Sequence, residues 1–310
     1  MGEKAHEGHS GPQEIPKVVT IEDVEPQTIG KGGTATFVAR HGEYDRDEYV
    51  GGEKNPHFGS LTERGYESIK KHAREIFTTM LRSMPADERR DFCILLVASD
   101  ADRGPGTGKR CVESARAWEE GAIEALATFG LPPDQILNPG EEINIFTPKG
   151  SKIGVDHELV GDPYSVSKET AAFMDWLVEQ CKKDGDDRPN AHWIAYETDT
   201  YKDKRLEMGA DGPLEVAERL CKFLTAQQEL ARNFHKKYPD RRLAVVNVAH
   251  TDNIHPLLKT AMSGHSDEVA LQEVVNVEYG GGFSYATHAD GTTTKPVIDG
   301  REYSIPHCSV

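Results

Sequence analysis

Two rhythms of apolar residues take turns along the chain. Largely apolar runs occur at Thr34–Ala39, Cys93–Ala98 and Arg242–Ala249. Runs of this length, rich in β-formers and bounded by polar residues or glycine, predict strands buried on both faces. Between them the spacing widens to three and four. Ile69, His72, Ala73, Ile76, Phe77 and Met80 form a stripe that predicts a helix from Ser60–Gly65 to about Arg82. Further helices are predicted over about 109–129, 166–183 and 214–238, and another follows residue 250. Gln135–Leu137 reads as a short additional strand, and His192–Tyr196 fits a strand or a helical insertion equally well. From Glu273 the chain is β-rich, with glycine turns at Gly280–Gly282.

Strands that alternate with helices predict an α/β fold, a mostly parallel central sheet with helices on both faces in three layers. Residues 1–31 are polar and carry little periodicity, which predicts a flexible tail with at most a short strand at Val18–Ile21. Residues 32–310 then form one domain, and the irregular stretch at about 140–212 is an insertion suited to a lid or pocket wall.

Composition narrows the partners. The 310 residues carry a net charge of −16, which argues against a nucleic-acid-binding face. An acidic protein still binds a small phosphorylated molecule where a few arginines converge. Five scattered cysteines without a C-x-x-C pair predict reduced thiols, with Cys93 a small core residue. No apolar leader or membrane-length run is visible, so the expectation is a soluble cytoplasmic protein with no membrane partner. His6 and His9 read as solvated tail residues.

Chemistry concentrates where strands end. The first buried strand runs into Arg40-His41-Gly42-Glu43, and the last into Ala249-His250-Thr251-Asp252-Asn253. Carboxyl ends of parallel strands are where open α/β sheets place ligands, so both histidines are candidates for one crevice. A guanidinium is a fork of donors for phosphate oxygens, and neutral imidazole is a nucleophile or base. Asp252, two residues after His250, fits a helix cap.

Arg40-His41-Gly42-Glu43 resembles the start of the histidine phosphatase superfamily, also called phosphoglycerate-mutase-like. Leu61-Thr62-Glu63-Arg64-Gly65-Tyr66, then Val97-Ala98-Ser99 followed by Arg110-Cys111-Val112-Glu113-Ser114-Ala115, Val246–His250 and Asn276–Tyr279 resemble its later segments in the same order. The resemblance implies the superfamily's α/β/α fold and a phosphohistidine formed on His41. It also implies Arg40, Arg110 and His250 around the phosphoryl oxygens, with no metal or cofactor. Glu43 would orient His41 or meet substrate, and Asn253 and Glu142 are further candidates for substrate contact.

The inserted Asp100–Lys109 makes Arg103 a rival to Arg110 as the second clamp, and because members of the superfamily place the proton donor differently, Asp252, Glu141 and Glu142 are the candidate acids. The implied function is hydrolysis of a phosphomonoester. An inactive relative that binds a phosphorylated ligand or a protein is the alternative, and mutase-type phosphoryl transfer is disfavoured by Tyr44-Asp45-Arg46-Asp47. Gly104–Lys109 imitates a P-loop but carries Arg103 and Arg110 at its two diagnostic positions, so a nucleotide switch is a remote third reading. A zinc hydrolase and a G-x-S-x-G esterase lack their patterns, and substrate identity and oligomeric state are not legible.

Overall fold

The computed structural model describes residues 17–99, 109–138, 166–188, 190–264, 267–272 and 275–305. In chain order the strands and helices are β1 (Lys17–Val19), β2 (Thr34–Arg40), the hairpin β3 (Tyr49–Val50) and β4 (Glu53–Lys54), α1 (Glu63–Ser83), β5 (Phe92–Ala98) and α2 (Lys109–Thr128). There follow α3 (Lys168–Lys183), α4 (Ala191–Glu197), α5 (Lys202–Glu207), α6 (Pro213–Lys237), β6 (Arg242–Ala249) and α7 (Thr251–Ser263). The chain closes with β7 (Val275–Val277), β8 (Gly282–Thr287), β9 (Val297–Ile298) and β10 (Arg301–Glu302).

The central sheet has the order β5-β6-β2-β8, with β5, β6 and β2 parallel and β8 an antiparallel edge. Its two faces feed different cores. Phe37, Ile94, Leu96, Val246 and Val248 pack with Ile69 and Phe77 of α1 and Trp118 of α2. Their neighbours Val38, Leu95, Val97 and Val245 pack instead with Leu220 and Phe223 of α6 and Leu257 of α7. Side chains of a strand alternate between faces, so continuous apolar runs are what a sheet covered on both sides requires. Asn247 interrupts β6 but is satisfied, since its amide donates to the Phe37 carbonyl and pairs with the Gln227 side chain. The predicted three-layer α/β/α architecture is therefore the observed one.

Several expectations change, and the choice left open at His192–Tyr196 is settled. Residues 17–31 are built into the domain. β1 pairs in parallel with β7, and Val19, Val24 and Ile29 are buried, so the apolar residues of this short segment have partners that its sequence does not reveal. Gln135 ends a 3-10 turn at Pro133–Gln135, and Ile136 makes only a single bridge to Ile94 in place of a strand. His192–Tyr196 lies in helix α4, and Asn276 lies in β7, outside the central sheet that β8 closes. Cys221 is disulfide-bonded, whereas Cys93, Cys111 and Cys181 are reduced thiols. Bridges join cysteines distant in sequence, so the lack of a C-x-x-C pair does not exclude one, and the expectation of reduced thiols is corrected at Cys221. A disulfide is at odds with a reducing compartment. No described helix is long and apolar enough to cross a membrane.

The described part of the stretch read from sequence as an insertion has a small core of its own. Phe173 and Leu177 of α3 pack with Tyr196 of α4 and Ala210. It is tied to the main domain by polar contacts: Glu197 Oε1 lies 2.7 Å from His255 Nδ1, and Glu197 Oε2 lies 3.5 Å from Lys259 Nζ, both partners being on α7. The Val277 N–H donates to His255 Nε2, which assigns the ring proton to Nδ1 and makes His255 the donor to Glu197.

Candidate active site

The backbone fixes His41 before any side chain acts. Its N–H donates to the Ala249 carbonyl at 3.0 Å, carrying the β2–β6 ladder one residue past the strand. Gly42 then turns the chain beneath α1, where a Cβ would stand 3.1 Å from the Gly65 carbonyl oxygen. Gly65 faces the same junction from the other side: a Cβ there would lie 2.3 Å from the Glu43 carbonyl oxygen. Two glycines thus let the start of α1 press on the loop that carries His41. The Gly42 N–H donates to Ser114 Oγ at 2.9 Å, and Ser114 Oγ donates to the Arg110 carbonyl, which connects the loop to the first turn of α2.

The His41 ring is buried and oriented. Nδ1 lies 2.8 Å from the Gly42 carbonyl oxygen, an acceptor, which places the proton on Nδ1 and the lone pair on Nε2. Burial first, then the charges of Arg110 and Arg40, hold its pKa well below the ordinary histidine value. The ring is therefore neutral at neutral pH. His250 stands opposite with ring centroids 5.4 Å apart, so the two strand ends meet as the sequence predicts.

Three guanidiniums surround this pair. Arg40 donates from Nη1 to the Val277 carbonyl at 2.6 Å, and its Cζ lies 4.2 Å from the Tyr279 ring centroid. Burial lowers its pKa from the ordinary arginine value. Arg110 lies 4.3 Å from the Tyr44 ring centroid, and its Nη2 is 3.4 Å from His250 Nδ1. The Nε atoms of Arg40 and Arg110 are buried without an acceptor among the described residues. Arg46 lies over both tyrosines, at 5.3 Å from Tyr44 and 5.5 Å from Tyr279, and donates to the Tyr279 hydroxyl. The Cys111 thiol sits 3.4 Å from His250 Nε2.

Arg40, His41, Tyr44, Arg46, Arg110 and His250 line a cavity of about 880 Å³, which also receives Asp252 and Asn253 from the first turn of α7. The lining also includes Met174, Asp175 and Val178 of α3 and Trp193, Ile194 and Glu197 of α4. Among the candidates from sequence, Arg40, His41, Arg110, His250, Asp252 and Asn253 are brought together in this cavity. Glu43 is not. Its carboxylate accepts from Thr62 Oγ1 at 3.3 Å, and the Gly42 carbonyl orients the His41 ring in its place. Arg103, Glu141 and Glu142 lie outside the described residues, as do His6 and His9. No group of three or more His, Cys, Asp or Glu among the described residues is placed to hold a metal ion.

Sequence reasoning misses Tyr44, Arg46 and Tyr279. Tyr44 and Arg46 lie just beyond the histidine motif and read, from sequence, only as a departure from the mutases. Tyr279 needs the β7–β8 turn to reach the site, and no local pattern announces that.

No family model matches the chain, and no curated protein matches it. Several solved structures are similar. A protein described as mycobacterial hydrolase 1 is 14% identical, with TM-score 0.36, over 90% of this chain and 100% of that one. A mycobacterial glucosyl-3-phosphoglycerate phosphatase is 15% identical with TM-score 0.31, over 90% of this chain and 99% of that one. A Hafnia alvei phytase in complex with myo-inositol hexakis sulphate is 11% identical with TM-score 0.32, over 86% of this chain and 83% of that one. Similarity this loose assigns no chemistry, which rests on the geometry of the site itself.

Proposed function

We propose that this chain is a phosphomonoester hydrolase of the histidine phosphatase type, with His41 as nucleophile and a small phosphorylated molecule as substrate. One observation carries the reading. A buried, neutral imidazole with an unprotonated Nε2 stands in the field of two arginines whose buried Nε donors have no acceptor among the described residues. A cluster of cations that lowers the pKa of a histidine suits a dianion, because phosphate oxygens accept the donors and neutralise the charge.

In the first step His41 Nε2 donates its electron pair to phosphorus. The P–O bond to the alcohol breaks, and the leaving oxygen takes a proton from a carboxylic acid, the role of Asp252 in this mechanism. In the second step water gives a proton to the Asp252 carboxylate as its oxygen attacks phosphorus, which breaks the P–N bond, releases phosphate and returns the electron pair to Nε2. Arg40, Arg110 and His250 hold the non-bridging oxygens while charge redistributes. Arg46 adds positive charge from the mouth of the site. His41 keeps its Nδ1 proton on the Gly42 carbonyl throughout, so the ring stays aligned as Nε2 changes partners.

The test is turnover of p-nitrophenyl phosphate in the presence of EDTA, with acid-labile phosphate trapped on the protein in the same reaction. His41→Ala should lower kcat by at least about a thousandfold and abolish the trapped phosphate. Turnover by the variant at the wild-type rate would remove His41 as nucleophile. Tight phosphate binding with no turnover by the wild type would assign the chain to the ligand-binding alternative.

A further inference from the structure

The His41 cavity separates charge from apolar surface. At the His41 end, Arg40, Arg46 and Arg110 face tyrosine rings and a backbone carbonyl. At the insertion end the cations are matched by carboxylates: Arg219 meets Asp211 at 2.7 Å, and Lys259 meets Glu197 at 3.5 Å. Asp175 adds a further carboxylate to that wall. The far end is therefore neutral to acidic, while the near end is cationic.

The same cavity carries apolar surface that the fold does not bury. Trp193 and Ile194 line the cavity and are 38% and 43% exposed. Neither belongs to the small core that holds the insertion together. Met174 and Val178 line the same wall from α3. Large apolar side chains left open inside a cavity, opposite an anion-binding end, are what a ligand with an apolar body would cover.

We propose that the site takes a phosphomonoester with a single phosphate on an alcohol that carries an aromatic body. Trp193 and Ile194 are the specificity-determining surface. The inference rests on the phosphatase reading for the direction of the phosphate, toward His41. Compounds with several phosphates are selected against, because groups reaching past the arginines meet Asp175, Asp211 and Glu197, and like charges in a confined site discriminate strongly. An aromatic body removes apolar area of both ligand and wall from water and stacks on the Trp193 ring.

Binding to wild-type protein is measured by calorimetry with two phosphonates that have no scissile P–O ester bond, 2-phenylethylphosphonate and ethylphosphonate. Both carry the same anionic head, so their ratio isolates the apolar wall. The phenylethyl compound should bind at least about tenfold more tightly. Trp193→Ala should shrink that preference at least about threefold, and Trp193→Phe should keep most of it. Inositol hexakisphosphate should fail to displace the phenylethyl compound at equal concentration. Equal binding of the two phosphonates, effective displacement by inositol hexakisphosphate, or no binding of either phosphonate overturns the inference. Preferential binding without hydrolysis of 2-phenylethyl phosphate removes the hydrolase reading and leaves the specificity of the cavity standing.

Discussion

The two ends of the cavity are built by different means. The His41 end hangs from the backbone: the β2–β6 ladder carries His41, His250 follows β6 directly, and Ser114 connects the histidine loop to α2. The insertion end is a set of helices with a four-residue core, tied down by a polar cluster on α7. Groups on a hydrogen-bonded scaffold hold their geometry to fractions of an ångström, which bond-making at phosphorus requires. A wall carried by its own small core can change shape or sequence without disturbing that geometry. Reaction type is thus expected to reside in the sheet and substrate choice in the insertion.

The hardest way to break this contrast is to compare arginines from opposite ends. Arg110→Gln removes a guanidinium from beside His41 and His250, and should lower kcat/KM for an aryl phosphate by about 10²–10³-fold. Arg219→Gln removes a guanidinium that already answers Asp211, and should cost less than about threefold, as expected of a partly exposed ion pair. Arg110→Lys should recover only part of the loss, since an ammonium cannot present the planar fork or lie on the Tyr44 ring in the same way. Equal losses from Arg110→Gln and Arg219→Gln would remove the distinction between the ends.

A smaller effect should come from releasing the insertion. Glu197 accepts from His255 and holds Lys259. Glu197→Ala leaves those partners on α7 without their carboxylate and should cost about 1–3 kcal/mol in urea denaturation. Because the wall moves and the His41 end does not, KM should rise more than kcat falls. A fall in kcat with KM unchanged would show that the insertion reaches the reacting groups.

The same division explains what is legible in the sequence. The buried strands β2, β5 and β6 announce themselves as apolar runs, and the residues that follow β2 and β6 are placed by the ladder itself. Both histidines can therefore be read from position alone. Arg110 opens a helix with a clear stripe, and it too is legible. Residues whose positions depend on pairings between distant segments are not. Tyr279 reaches His41 only because β7 pairs with β1, a segment too short to show a period. Trp193 sits in a seven-residue helix, where one apolar cluster satisfies a strand and a helix equally. Glu43 misleads because adjacency to His41 suggests contact, while the turn at Gly42 sends its carboxylate to Thr62.

The smallest effect sharpens the contrast most, because it reads the field at the His41 end directly. Burial, then Arg110 and Arg40, depress the His41 pKa, and Arg46 acts in the same direction. A depressed value means that below pH 6.5 the unfolded chain binds a proton that the folded chain refuses. Stability supplied by the neutral ring is thus present above that pH and is lost as pH falls toward the folded pKa. The slope is at most about 1.4 kcal/mol per pH unit for one group. His72 is shifted the same way by burial and steepens the fall. In NMR titration of the substrate-free protein, the His41 ring should show no protonation as pH passes through about 6.5, where an ordinary histidine is half protonated. Arg110→Gln removes the largest of the three charge contributions and should move the titration of His41 upward toward that value. Removing the guanidinium leaves burial in place, so the shift should be partial. A His41 ring that titrates at the ordinary value in the wild type would mean that its Nε2 is not held neutral by the arginines, and the nucleophile would need another means of activation.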